Sequence, residues 1–169
     1  MKQHAIVLVD ISYSMKKNSE SIIKGLNKFI CNLKKMNDGG RNVYLSVMLF
    51  CDKFTYLCKA THIPKAKPFS MSQLPEFGLT YLYDAIGVIL DDWYPEKNIE
   101  HHLFIITDGT DTGSVLTKES EIIMRCEAAV SNGWHITHCG IDSGNLGAGV
   151  LEVGGGIDDL ENLLGNLCI

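Results

Sequence analysis

The residues of this chain best suited to chemistry are hard oxygen donors, and they gather in three short stretches. Asp10, Ser12 and Ser14 alternate in Asp10-Ile11-Ser12-Tyr13-Ser14, directly after the apolar segment 5–9. Thr80 lies in Gly78-Leu79-Thr80-Tyr81-Leu82, and Asp108 lies in Thr107-Asp108-Gly109. Carboxylates and hydroxyls in this pattern suit a divalent cation such as Mg²⁺, Mn²⁺ or Ca²⁺. Hydroxyls are weak ligands, so the set implies modest affinity and coordination positions open to water or to an incoming oxygen. Few carboxylates and many hydroxyls lean toward Mg²⁺ or Mn²⁺ over Ca²⁺. Asp108 is read as acting directly or through a coordinated water. A cation with so few anionic ligands keeps positive character and can attract a carboxylate from another protein.

These donors need elements to hold them. The run Ala5-Ile6-Val7-Leu8-Val9 reads as a strand buried on both faces, as in a parallel sheet. A helical stripe follows, with Ile22, Ile23, Leu26, Phe29, Ile30, Leu33 and Met36 at spacings of three and four. Asn37-Asp38-Gly39-Gly40 stops it. Segments 43–50 and 54–63 are β-rich and separated by only three residues, too short for a parallel crossover, so they pair as an antiparallel hairpin. Segment 64–77 is a proline-rich loop. A helix beginning within 78–86 buries Leu82, Ala85, Ile86, Ile89, Leu90 and Trp93, and ends at Tyr94-Pro95. A buried strand at 103–106, a helix over about 117–130 closed by Gly133, and a strand over 134–141 follow. The glycine-rich tail 142–156 holds a minimal strand at 151–153, and a last helix spans about 157–167.

Strands alternating with helices predict an α/β fold. It is a doubly wound, mostly parallel central sheet with one antiparallel strand and helices on both faces. Residues 1–169 are read as one domain. In such a sheet the ligand crevice lies outside the carboxyl ends of the strands, where the winding reverses. If the first strand lies between the second and the fourth, Asp10 and Asp108 fall at adjacent strand ends, at that crevice.

The three stretches together resemble the metal-ion-dependent adhesion site of von Willebrand factor type A domains. That family carries D-x-S-x-S after the first strand, a threonine in G-x-T-x-L, and T-D-G after the fourth. All three appear here in order, each at an expected loop, and the resemblance covers nearly the whole chain. It implies a Rossmann-like fold in which Asp10, Ser12, Ser14, Thr80 and Asp108 form the metal site. It also implies a protein-binding module, often part of an intracellular multiprotein complex, whose partner supplies a Glu or Asp to complete the octahedron. The short, glycine-rich end region departs from larger relatives that move their last helix to switch affinity.

Composition narrows the alternatives. The net charge is −5 and no dense Lys/Arg cluster exists, which speaks against nucleic acid as a partner. No apolar run approaches the ~20 residues of a membrane span. The first strand begins at about residue 4, leaving no room for a signal peptide. Six cysteines show neither C-x-x-C pairing nor zinc spacing. Both features point to a reducing, cytoplasmic setting. The leading expectation is a Mg²⁺-dependent binding module that is not an enzyme. A metal-dependent phosphohydrolase or phosphotransferase competes with it, since such enzymes also carry carboxylates after the first and fourth strands. Against it, position 12 is Ser where haloacid dehalogenase-like enzymes have a second Asp, and no Walker A loop is present. A structural subunit with a vestigial motif is the third reading.

Four further sets of residues carry expectations. Asp84 is read as structural, in a helix's first turn where negative charge is favoured. Asp111 is placed on the rim of the site. Tyr13 and Tyr81 sit inside the metal loops, either as apolar docking groups or packed against a helix. The six histidines are read as polar residues flanking strands, and His101-His102 cannot chelate together because neighbours on a strand point to opposite faces.

Overall fold

Ala5, Ile6, Val7, Leu8 and Val9 are all fully buried, at the middle of the central strand of a six-stranded sheet. The computed structural model describes residues 2–93, 98–140, 146–153 and 169. Its strands are β1 (Lys2–Asp10), β2 (Asn42–Phe50), β3 (Phe54–His62), β4 (Ile99–Thr107), β5 (His135–Gly140) and β6 (Leu151–Val153). Its helices are α1 (Ser19–Asp38), α2 (Leu82–Asp92) and α3 (Glu119–Ser131). The strand order is β3-β2-β1-β4-β5-β6, parallel throughout except for the β2–β3 hairpin.

Period-two alternation assigns each strand residue to one of two cores. Ala5, Val7 and Val9 pack with Ile22, Leu26, Phe29 and Leu33 of α1. Ile6 and Leu8 pack on the opposite face with Leu82, Ile86 and Ile89 of α2 and Ile122 and Cys126 of α3. Each Val, Leu, Ile or Phe among them contributes about 1.5–3 kcal/mol when fully buried. Helices therefore cover both faces, and the order places β1 between β2 and β4, so the winding reverses at the end of β1. Asp10 is that end.

The punctuation follows the turn residues. Gly39 caps α1 and Gly40 takes a φ of 92°. Gly133, at a φ of 91°, follows the Asn132 cap of α3. The loop after the hairpin contains two short 3-10 turns, Ile63–Lys65 and Met71–Gln73.

The strands run further than their apolar centres. β1 starts at Lys2 and β4 at Ile99, in parallel register from Lys2↔Ile99 to Val9↔Ile106. This corrects the reading of the histidines as strand-flanking polar residues. His4, His101, His102 and His138 lie inside strands and are buried. Backbone pairing continues through polar residues wherever their side chains find partners. His4 Nδ1 lies 3.3 Å from His101 Nδ1, and His4 Nε2 lies 2.9 Å from Ser46 Oγ. The end of α2 at Tyr94-Pro95 and the helix expected over 157–167 fall outside the described residues.

Candidate metal centre

The site begins with an Asx turn. The Asp10 carboxylate is completely buried, and the Ser12 N–H donates to its Oδ1 at 2.6 Å. Thr107 Oγ1 donates to Oδ2 at 2.7 Å from the end of the neighbouring strand β4. The chain leaving β1 is held by Ile11 N–H to Phe50 O (2.8 Å) and Tyr13 N–H to Gly78 O (3.0 Å). A 3-10 turn over Tyr13–Asn18 then leads into α1.

From this turn the hydroxyls form a chain. Ser12 Oγ lies 3.0 Å from Ser14 Oγ, and Ser14 Oγ donates to Asp108 Oδ1 at 2.7 Å. Four of the five expected ligands, Asp10, Ser12, Ser14 and Asp108, are thus brought together. Thr80, the fifth, is buried on the adjoining loop, which is fastened on both sides. Ser12 pairs with Gly78 in a bridge, and Thr112 donates its N–H to Thr80 O at 2.9 Å. Gly78 packs closely against the chain after β2: a Cβ there would lie 2.0 Å from Oδ1 of the exposed Asp52 side chain, which would have to turn away, and 3.2 Å from Cys51 Cβ.

Burial raises the Asp10 pKa, the hydrogen bonds from Thr107 and Ser12 oppose the rise, and the nearby Asp108 adds to it. The Asp108 carboxylate beside Asp10 is thus a second negative group at the same loops. Two carboxylates and two hydroxyls gathered in one hydrogen-bonded run make a donor set that fits a hard divalent cation. Asp10, Ser12, Ser14, Thr80 and Asp108 could hold it. Asp10, Ser12 and Thr80 are buried, whereas the Ser14–Asp108 link faces solvent. An ion there would be reachable from one side.

Two supporting residues had no individual role in the sequence reading, and a third had only a helix-turn role. Thr107 anchors Asp10, and its place in Thr107-Asp108-Gly109 was the available signal. Thr112 anchors Thr80, with no local signal. Asp84 is the third: it is buried and accepts backbone N–H bonds from Val115 (2.9 Å), Leu116 (3.0 Å) and Thr117 (2.7 Å). Its structural role holds, but it fastens the loop after β4 to α2 as well as sitting in the helix's first turn. Asp111 is a second fastener, bonded to Tyr83 N–H, Ser114 N–H and the Ser114 hydroxyl. Tyr13 is 67% exposed at the site. Tyr81 instead lies over Gly113, where a Cβ would meet its ring at 2.3 Å.

No family model matches the sequence, and no curated protein matches it. Solved structures do. The chain superposes on proximal thread matrix protein 1 from the mussel byssus, a structure with a zinc-occupied MIDAS motif, at a TM-score of 0.64 and 14% identity, over 96% of this chain and 44% of that one. A von Willebrand factor type A protein from Catenulispora acidiphila gives 0.66 and 14%, over 97% and 41%. The VWA domain of SpRpn10 gives 0.57 and 14%, over the full length of both. The chain thus spans less than half of the mussel and Catenulispora chains. It has the von Willebrand factor type A fold, a Rossmann-like α/β sheet with one antiparallel strand.

Proposed function

We propose that this protein is a divalent-metal-dependent protein-binding module without catalytic activity. Asp10, Ser12, Ser14 and Thr80 hold Mg²⁺ or Mn²⁺, and Asp108 binds it directly or through water. The carrying observation is the hydrogen-bonded run Asp10–Ser12–Ser14–Asp108, which gathers oxygen donors from two loops ninety-odd residues apart at the carboxyl end of the sheet. When bound, the ion supplies a positive, partly unsatisfied centre for an acidic side chain of a partner protein. The chain's own contribution is placement. The buried Asp10 fixes the inner position, the two serines order the loop, and the exposed Tyr13 offers apolar surface beside it.

No helix among the described residues is long and apolar enough to cross a membrane. The five cysteines among the described residues are free, which supports a reducing, cytoplasmic site of action. The test uses the purified protein as bait in an extract of its source cells, with Mg²⁺ or with EDTA, beside Asp10→Ala. Partners retained by wild type in Mg²⁺ and released by EDTA support the reading. Retention indifferent to both chelator and substitution contradicts it.

A further inference from the structure

We propose that Glu100, His102 and His135 form a second metal site, of Zn²⁺ type, at the amino-terminal edge of the sheet. His102 and His135 are paired neighbours on the parallel strands β4 and β5, and so project from the same face. Glu100, two residues before His102 on β4, shares that face. The imidazole rings stack with centroids 4.7 Å apart and 12° between planes. Glu100 Oε1 lies 3.1 Å from His135 Nε2 and 3.5 Å from His102 Nε2. One donor atom from each of the three residues lies within 4.8 Å of the others.

Two observations point to a ligand rather than to an ordinary ion pair. His102 is only 8% exposed, and its buried Nε2 makes no hydrogen bond among the described residues, its contact with Glu100 Oε1 at 3.5 Å being too long and misdirected to count as one. A buried polar atom left in that state needs an explanation, and a metal ion supplies one. In addition, Gln3 Nε2 donates to Glu100 Oε2 at 3.2 Å, which fixes the carboxylate and leaves Oε1 turned toward the imidazoles. An outer hydrogen bond that orients a ligand is a regular feature of metal sites.

Two imidazoles and one carboxylate favour Zn²⁺ over Mg²⁺, which prefers oxygen alone. Three protein ligands leave a fourth tetrahedral position for water or an exogenous group. His102 and His135 also line a cavity of about 440 Å³, which gives that position room. At Zn–N distances of about 2.0–2.1 Å, ligand atoms stand roughly 3.3 Å apart, so the donors close up slightly on binding. His135, whose side chain is 60% exposed, is free to move that far. The site is separate from the Asp10 loop. Glu100 pairs with Gln3, and seven residues of strand at about 3.3 Å each put Asp10 roughly 23 Å away.

The test is calorimetric titration of Zn²⁺ into the full chain carrying Asp10→Ala, so that the first loop does not compete. Should that variant fold poorly, wild type in excess Mg²⁺ is the background. One equivalent of Zn²⁺ is expected to bind. Gln3→Ala should weaken it by roughly 10–100-fold, and His135→Ala, at a half-exposed position, by more. Co²⁺ in place of Zn²⁺ should give a tetrahedral spectrum without thiolate charge transfer, which sets the site apart from the cysteines. An isotherm unchanged by both His135→Ala and Glu100→Gln, no Zn²⁺ uptake, or a thiolate band would overturn the assignment.

Discussion

Ser14 Oγ donates a 2.7 Å hydrogen bond to Asp108 Oδ1, closing a contact between residues 94 positions apart. It joins the loop after β1 to the loop after β4, and it is the outermost link of the oxygen cluster. Ser14→Ala removes one ligand and this link together. Its Mg²⁺ affinity is expected to fall roughly 10–100-fold. Stability in EDTA should change by about 1 kcal/mol or less, because the bond is exposed. Mg²⁺ titration and urea unfolding of the same variant read the two quantities separately.

Asp84 carries the opposite balance, with large structural weight and no expected contact with the ion. Its carboxylate satisfies the N–H groups of Val115, Leu116 and Thr117. Asp84→Ala leaves those donors without a partner and should cost roughly 3 kcal/mol in urea unfolding. Asp84→Asn, which keeps one acceptor, should cost about half as much. A loss below about 0.5 kcal/mol for the alanine variant would show that the loop finds other acceptors.

Gly78 tests the packing between loops. A Cβ there would fall 2.0 Å from Asp52 Oδ1 and 3.2 Å from Cys51 Cβ. Gly78→Ala therefore turns the exposed Asp52 side chain away and tightens the contact with Cys51, beside the bridge to Ser12. A loss of about 1 kcal/mol is expected, together with weaker Mg²⁺ binding. Unchanged affinity would mean that Thr80 and Ser12 are positioned independently.

The buried histidines set the acid limb of stability. Burial, reinforced by the neighbouring His101, lowers the His4 pKa to about 3. Burial also lowers His138, against the pull of Glu152. A histidine that resists protonation when folded takes up a proton more readily in the unfolded chain. Its stabilising share is full above the ordinary histidine value of 6.5 and is lost progressively as pH falls toward 3. Lys2 and Asp92, the latter paired with Lys59, line the same pocket as His4. Urea unfolding in EDTA should therefore weaken steadily from pH 7 to pH 4. A flat profile would contradict neutral burial of His4.

Most of this architecture was legible from local pattern. The apolar run at 5–9, the three-residue hairpin break and the stripe of α1 are local signals, and each element formed where its period placed it. The gathering of Asp10, Ser12, Ser14 and Asp108 was legible because each sits in a recognisable loop sequence at a strand end. What escaped depends on register. The rule that His101 and His102 face opposite ways is correct. But His102 meets His135 only because β4 and β5 pair at that position. Likewise, nothing near Asp84 announces that residues 115–117 will fold back onto it. Burial of His4 within β1 was hidden because its partners, His101 and Ser46, come from two other strands.

The measurement that bears most directly on the metal-binding account is a thermal melt of wild type and Asp10→Ala, each with EDTA and with Mg²⁺ or Mn²⁺. A ligand at about 100 times its dissociation constant adds about 2.7 kcal/mol. For a chain of this size that is a rise of roughly 5–10 °C. The account predicts this rise in wild type and none in Asp10→Ala, whatever the baseline of the variant. An equal rise in both proteins, or none in wild type at millimolar metal, would contradict it.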